Sequence, residues 1–224
     1  MPGRPRGHSE GGDEPEVTPS RPRGTHAGGH AGTMRQAEEA VNEVAQAGRA
    51  GAGGRPITHG TGEQGGVPDG RPTRINPGED ADVRRSLERE NSGAEILADS
   101  GYQIKQNPTR DEVALARQNT GDTGDPLSKP DYLLEGRVFD CYSPGERTSV
   151  RNLWTATRQK IVDEQTQRVV INLQDWRGDM SALRKQFADW PVENLKEVKA
   201  IMPNGDIAQI IPEPGATEHV ANVD

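Results

Sequence analysis

Every one of the eight aromatic residues lies at or beyond Tyr102, while 18 of the 27 glycines fall at or before Gly78. A chain this lopsided cannot fold along its whole length around one core. The first third lacks the apolar surface that would offset the entropy of ordering it. The rest, about 140 residues, is long enough for a normal single core. The overall hydrophobic content of 30% therefore averages two different polymers. Residues 1–32 and 49–78 are rich in Gly, Pro and Arg and read as flexible linker. Four histidines (His8, His26, His30, His59) lie there, but their irregular spacing and the lack of a cysteine argue against a metal site. Between the two linkers, Met34, Ala37, Val41 and Val44 share a helical stripe. The expected organisation is a disordered tail over residues 1–75 with a short helix at 33–48, a folded domain over 76–212, and a disordered C-terminal tail over 213–224.

The net charge is −8. Up to Thr73 the chain is near neutral, with 8 basic and 9 acidic residues, and the remainder carries 19 basic and 26 acidic residues. Nucleic acids are bound largely through phosphate neutralisation. An acidic domain suits them only if carboxylates hold a cation or if positive charge is local. The single cysteine, Cys141, excludes an internal disulfide and a cysteine-rich metal site. No apolar run approaches membrane-spanning length. The N-terminus, MPGRPRGHSEGG, has no hydrophobic segment, which predicts no ordinary signal peptide and, for any exported form, a non-classical secretion route.

In the second part, Glu79, Asp80 and Asp82 mark an acidic helix start, with a stop at Gly101. A short strand at 102–105 follows, then a polar stretch over 109–129 that reads as loop with a helical turn or two. Two strand-like runs flank Glu135-Gly136, a turn signal. Val150, Trp154, Thr157 and Ile161 have helical spacing within 147–165. The β-branched run 168–173 suits a buried strand. Asp179 caps a further helix that ends at Pro191. Two last strands, 195–202 and 206–211, flank Asn204-Gly205, a strong hairpin dipeptide. The order α-β-β-β-α-β-α-β-β is that of a mixed-sheet α/β sandwich.

Chemistry gathers at three acids. In the first helix Val83, Leu87, Ala94 and Leu97 form an apolar stripe, and the position completing it is Glu90. A carboxylate buried there without a partner is costly; periodicity alone leaves open a site acid or one at the edge of the stripe. If Glu135-Gly136 is a two-residue turn, Leu134 pairs with Arg137, Leu133 with Val138, Tyr132 with Phe139, and Asp131 with Asp140. Directly opposed residues share a face, with β-carbons about 4.5–5.5 Å apart. Two like charges so placed are unfavourable unless a divalent cation sits between them; a one-residue slip would leave two unrelated strand-end acids. Glu90, Asp131 and Asp140 together make a three-carboxylate candidate for Mg²⁺, Mn²⁺ or Zn²⁺. Such an ion activates water and offsets charge on a scissile phosphate. Lys160 is the best-placed cation, although a helical lysine on a solvated face would look the same. Metal-independent ribonucleases commonly use a histidine acid–base pair, and His219, the one histidine of this part, lies beyond the last strand.

Beyond this physics, residues 129–144 (KPDYLLEGRVFDCYSP), preceded by 90–108 (ENSGAEILADSGYQIKQNP), resemble the C-terminal tRNA nuclease domain of CdiA-type contact-dependent growth inhibition toxins. So do QRVVINL, LRKQFADWP and the closing NGDIAQIIP. The resemblance covers roughly residues 76–212. That family resembles the PD-(D/E)XK nucleases, so it implies an α-β-β-β-α-β core with a mixed sheet flanked by helices. It also implies a metal-dependent enzyme that cuts tRNA in the cytoplasm of a target bacterium, and a cognate immunity protein that protects the producer. Carried over, Glu90 is the helix acid, Asp131 the aspartate of the PD motif and Asp140 the acid of the (D/E)XK element. Tyr142 stands where that element usually has its lysine, so the resemblance moves the lysine's role to Lys160, with Gln167 assisting from the next strand. Arg147, Arg151, Arg158 and Lys160 could track a phosphate backbone. The first third carries no part of the resemblance and is expected to meet a delivery-system partner. A DNA endonuclease on the same fold and a non-catalytic binding module are the alternatives.

Overall fold

The computed structural model describes residues 57–214. The helix expected at 33–48 and the tail beyond residue 214 lie outside the described residues. The elements are β1 (Asp69–Gly70), α1 (Ala81–Asp99), β2 (Ile104–Gln106), α2 (Arg110–Thr120), β3 (Tyr132–Leu134), β4 (Arg137–Tyr142), α3 (Val150–Val162), β5 (Arg168–Asn172), α4 (Met180–Asp189), β6 (Glu197–Ile201) and β7 (Ile207–Ile211). The strands form one sheet in the order β1-β2-β3-β4-β5-β6-β7. It is mixed: β4, β5 and β6 run parallel, and β6 and β7 close it as an antiparallel pair.

Local chemistry accounts for most of these elements. Asp80 caps α1 by accepting from the Asp82 N–H, and Asp179 caps α4 by accepting from the Ser181 N–H. Glu135 and Gly136 both have positive φ, 50° and 69°, the backbone of a tight two-residue hairpin whose twist matches the strands. The resulting register is Leu134↔Arg137, Leu133↔Val138 and Tyr132↔Phe139, as the two-residue turn requires. Strands β5 and β6 are buried throughout, as parallel strands covered on both faces are. On one face Leu153 and Ile161 of α3 and Leu183 and Phe187 of α4 pack on Val169, Ile171 and Val198. On the other, Ala94 and Leu97 of α1 pack with Tyr132, Phe139, Val170 and Ile201.

Three features depart from the sequence reading. The stretch 109–129 contains a full helix, α2. Thr109 and Glu112 form a reciprocal capping box, and Gly121 ends the helix in the left-handed region. The T-x-x-E signature was present, but the stripe behind it is only Val113 and Ala116, which cover Val138. Second, the ordered unit begins well before residue 76. Strand β1 pairs in parallel with β2. The Thr58 N–H and hydroxyl donate to the Glu197 carboxylate at 2.9 and 2.6 Å. The Gly62 N–H donates to Gly101 O at 2.9 Å. Polar bonds rather than apolar burial hold this segment, so its composition resembles a linker. Third, Val83 is exposed, and the buried face of α1 is Gly93, Ala94, Leu97 and Ala98. A Cβ on Gly93 would meet Asn172, Ile201 and Tyr132 atoms at 3.2–3.3 Å. Glycine thus lets α1 lie close to the sheet one turn after Glu90. Among the described residues no helix is long and apolar enough to cross a membrane.

Candidate active site

The hairpin register places Asp131 and Asp140 at the pair next beyond Tyr132↔Phe139. Both lean on one donor: the Cys141 N–H donates to Asp131 Oδ2 at 2.7 Å and to Asp140 Oδ1 at 3.1 Å. Burial pushes the Asp131 carboxyl well above its ordinary range, and the neighbouring Asp140 adds to the shift. Facing them is α3, capped by Ser149 and anchored by Leu153, Thr157 and Ile161. Its last turn sends Lys160 inward, with Nζ 3.1 Å from Asp140 Oδ2. Burial works against the ammonium, but Asp140 and Asp131 outweigh it and hold its pKa above the ordinary lysine value.

Glu90 approaches from α1. Its backbone carbonyl accepts from the Tyr132 hydroxyl, and its carboxylate accepts from the Thr73 hydroxyl. The Thr73 N–H in turn donates to Asn91 Oδ1 at 2.7 Å. Burial raises the Glu90 pKa, the Thr73 bond opposes that, and the charge of Asp140 raises it further. Glu90, Asp131, Asp140 and Lys160 line one cleft of about 550 Å³, with Ser86 and Tyr142 beside them. Burial also raises the Tyr142 pKa, so its phenol remains a proton donor.

Five of the six residues singled out in the sequence therefore share one cleft. Gln167 does not: its Oε1 accepts from the Thr123 N–H at 2.9 Å, and it lines a neighbouring cavity. The basic stripe also divides. Lys160 turns into the acid cleft, Arg158 borders that other cavity, and Arg151 lies over the Trp154 and Trp190 rings at 5.0 and 5.5 Å. Thr73 and Ser86 were missed. Ser86 stands one helical turn before Glu90, a spacing that could have flagged it. Thr73 lies in a linker-like segment and left no signal.

The donor set consists of carboxylate oxygens, which suit a hard divalent cation. Among the described residues no three His, Cys, Asp or Glu side chains close on one point; the Glu90 carboxylate is bonded to Thr73. Asp131 and Asp140 are the facing pair that a cation would relieve.

Fold and cleft define a mixed α/β domain with an acid–lysine centre. The family model for the contact-dependent growth inhibition CdiA C-terminal domain matches residues 128–207. Over 144 residues, 64% of this chain, the sequence is 37% identical to "tRNA nuclease CdiA-2" of Burkholderia pseudomallei (strain 1026b), and the match spans 4% of that relative's length. A chain of the CdiA-CT/CdiI toxin and immunity complex from Burkholderia pseudomallei aligns with a TM-score of 0.55 at 34% identity, covering 65% of this chain and 98% of that one. The chain belongs to the family of CdiA C-terminal toxin domains.

Proposed function

We propose that this protein is a metal-dependent endonuclease toxin that cleaves a phosphodiester bond of tRNA in the cytoplasm of a target bacterium. The observation that carries the reading is the convergence of Asp131, Asp140 and Lys160 in one cleft, with Lys160 Nζ 3.1 Å from Asp140. A relative named a tRNA nuclease supports the choice of substrate.

Asp131, Asp140 and Glu90 are the residues that would hold a divalent cation, Mg²⁺, Mn²⁺ or Zn²⁺. Bound there, it would lower the pKa of a water and offset negative charge on the phosphate. The chain's own groups do the rest. Asp140 keeps Lys160 charged and aimed into the cleft, where its ammonium stabilises the oxygens of the phosphate in the transition state. The Cys141 N–H fixes both aspartates, so neither must reorganise. Tyr142 can donate its hydroxyl proton to a phosphate oxygen. Thr73 orients Glu90. The partners that follow are tRNA, a cognate immunity protein of the kind that accompanies the matched toxin, and a delivery-system partner for the N-terminal third.

The test is digestion of total tRNA and of plasmid DNA by the full chain, with Mg²⁺, Mn²⁺ or Zn²⁺ or with EDTA, beside Asp140→Ala. Discrete tRNA fragments that require metal and vanish in the variant are expected. Cutting of DNA alone would move the assignment to a DNA endonuclease. Cutting of neither would leave a binding module.

A further inference from the structure

Beside the acid cleft lies a second cavity of about 420 Å³. The segment 160–167 forms the wall between them, its residues lining one or the other. Lys160, Asp163 and Gln165 face the acid cleft, while Ile161, Glu164 and Gln167 face the second cavity. A bond from the Asp125 N–H to Glu164 O, 2.8 Å, ties this wall to the loop across it.

Gln167 is 8% exposed. A backbone N–H only donates, so the bond from Thr123 N settles which end of the Gln167 amide is which. Oε1 faces Thr123; Nε2, with two hydrogens to give, has no hydrogen-bond partner among the described residues, and the residue lines the cavity. The backbone behind it is held, since Gln167 O accepts from Lys196 N at 2.7 Å. Ile161 and Val192 supply apolar surface, and Asn194 a second amide. Arg158 borders the cavity with no ion-pair partner among the described residues.

We propose that this cavity receives one unpaired nucleobase next to the scissile phosphate, and that Gln167 selects a base presenting a hydrogen-bond acceptor. The inference rests on the nuclease reading and deepens it. Single-stranded RNA is read by splaying bases into pockets and bonding their edges. The cavity has the size of a small-ligand site. The Gln167 Nε2 is a pure donor, which calls for a ring nitrogen or carbonyl oxygen. A base joined through its own sugar to a phosphate at Lys160 needs a pocket just across such a wall, with Arg158 placed for the next phosphate.

The experiment maps cleavage ends on total tRNA for the wild-type chain, Gln167→Glu and Val162→Trp, with thermal unfolding of each. Gln167→Glu keeps the acceptor for Thr123 and removes the donor. Its kcat/KM at the preferred site should fall at least about tenfold, and the base preference beside the cut should weaken or change. Val162, an exposed residue of the cavity edge, carries the test should Gln167→Glu fail to fold; a tryptophan there fills the entrance and should lower cleavage at the same site. Unchanged cut positions, base preference and rates in a folded variant would overturn the proposal. So would a wild-type enzyme that cuts with no base preference, which leaves the nuclease reading standing. A wild-type chain that cuts no nucleic acid overturns both.

Discussion

Thr73 reaches Glu90 from a segment that is 17 residues away in sequence. Its hydroxyl also accepts from Asn107 Nδ2 at 2.8 Å, so one small side chain fixes an acid and a loop at once. Thr73→Val preserves the shape and removes the hydroxyl. Cleavage kcat should fall roughly tenfold, because Glu90 loses a hydrogen bond to its charged form; single-turnover assays at saturating tRNA measure it, and an unchanged rate would remove Thr73 from the site. Lys160→Met keeps the stem and deletes the charge. Losing an oriented cation from beside the acid pair costs on the order of 10²–10³ in kcat, to be read against thermal unfolding that shows the domain intact. Cys141, by contrast, is buried, and burial raises its thiol pKa, which suits a packing residue whose N–H, not its sulfur, serves the site.

At the scale of elements, the β3–β4 hairpin and the starts of β5 and β6 do different work. The hairpin builds the acid pair. The strand starts carry a buried ion network in which Asp122 contacts Arg168, Lys196 reaches Asp122 at 2.8 Å, and Lys199 reaches Glu197 at 3.2 Å. Arg168 and Glu197 are both almost fully buried. Breaking one member strands the others, so Asp122→Asn should destabilise the domain by about 3–5 kcal/mol in urea unfolding at neutral pH. Burial alone would raise the Asp122 pKa, but Arg168 and Lys196 outweigh it and hold it below its ordinary value of 3.8. A lowered folded-state pKa stabilises above the unfolded-state value and ceases to do so as pH falls through the folded one. The gap between wild type and Asp122→Asn should therefore narrow below about pH 4. In α1, Gly93→Val would wedge the helix away from Tyr132 and Asn172. A cost of about 1–3 kcal/mol is expected from overpacking, with reduced cleavage because Glu90 moves with the helix.

For the whole molecule, the segment from residue 57 to 75 binds distant parts of the domain together. Thr58 caps the carboxylate of Glu197, which is 0% exposed and lies 139 residues away. Thr61 binds Glu135 at the hairpin turn, and Thr73 binds Glu90. A chain beginning at Ile57 should unfold at a higher temperature than one beginning at Asn76, because each buried polar group left unpaired costs about 1–3 kcal/mol. The shorter chain should also cut more slowly. Equal melting temperatures and rates would show the segment to be dispensable. The cleft itself is acidic, with Glu90, Asp125, Asp131, Asp140 and Asp163 against Lys129 and Lys160, so a nucleic-acid substrate would need a cation there to offset its phosphates.

The amino-acid sequence by itself determined the hairpin register, and with it the opposition of Asp131 and Asp140. Turn dipeptides and strand alternation act within a few residues, and little else in the fold can override them. The caps at Asp80 and Asp179 were legible for the same reason, whereas the spacing of α3 left Lys160 open between the site and a solvated face. Helix α2 was signalled by its capping box but has too short an apolar stripe for periodicity to register. Other features were decided only by the tertiary structure. Thr58 and Thr73 join the domain through hydrogen bonds whose partners lie far along the chain, and such bonds leave no local pattern. Gln167 has the right strand position for a catalytic helper, yet the Thr123 N–H claims its oxygen and the wall at 161–165 separates it from the acids. Which side of a wall a side chain faces depends on how three elements pack together, and no spacing along one of them contains that information.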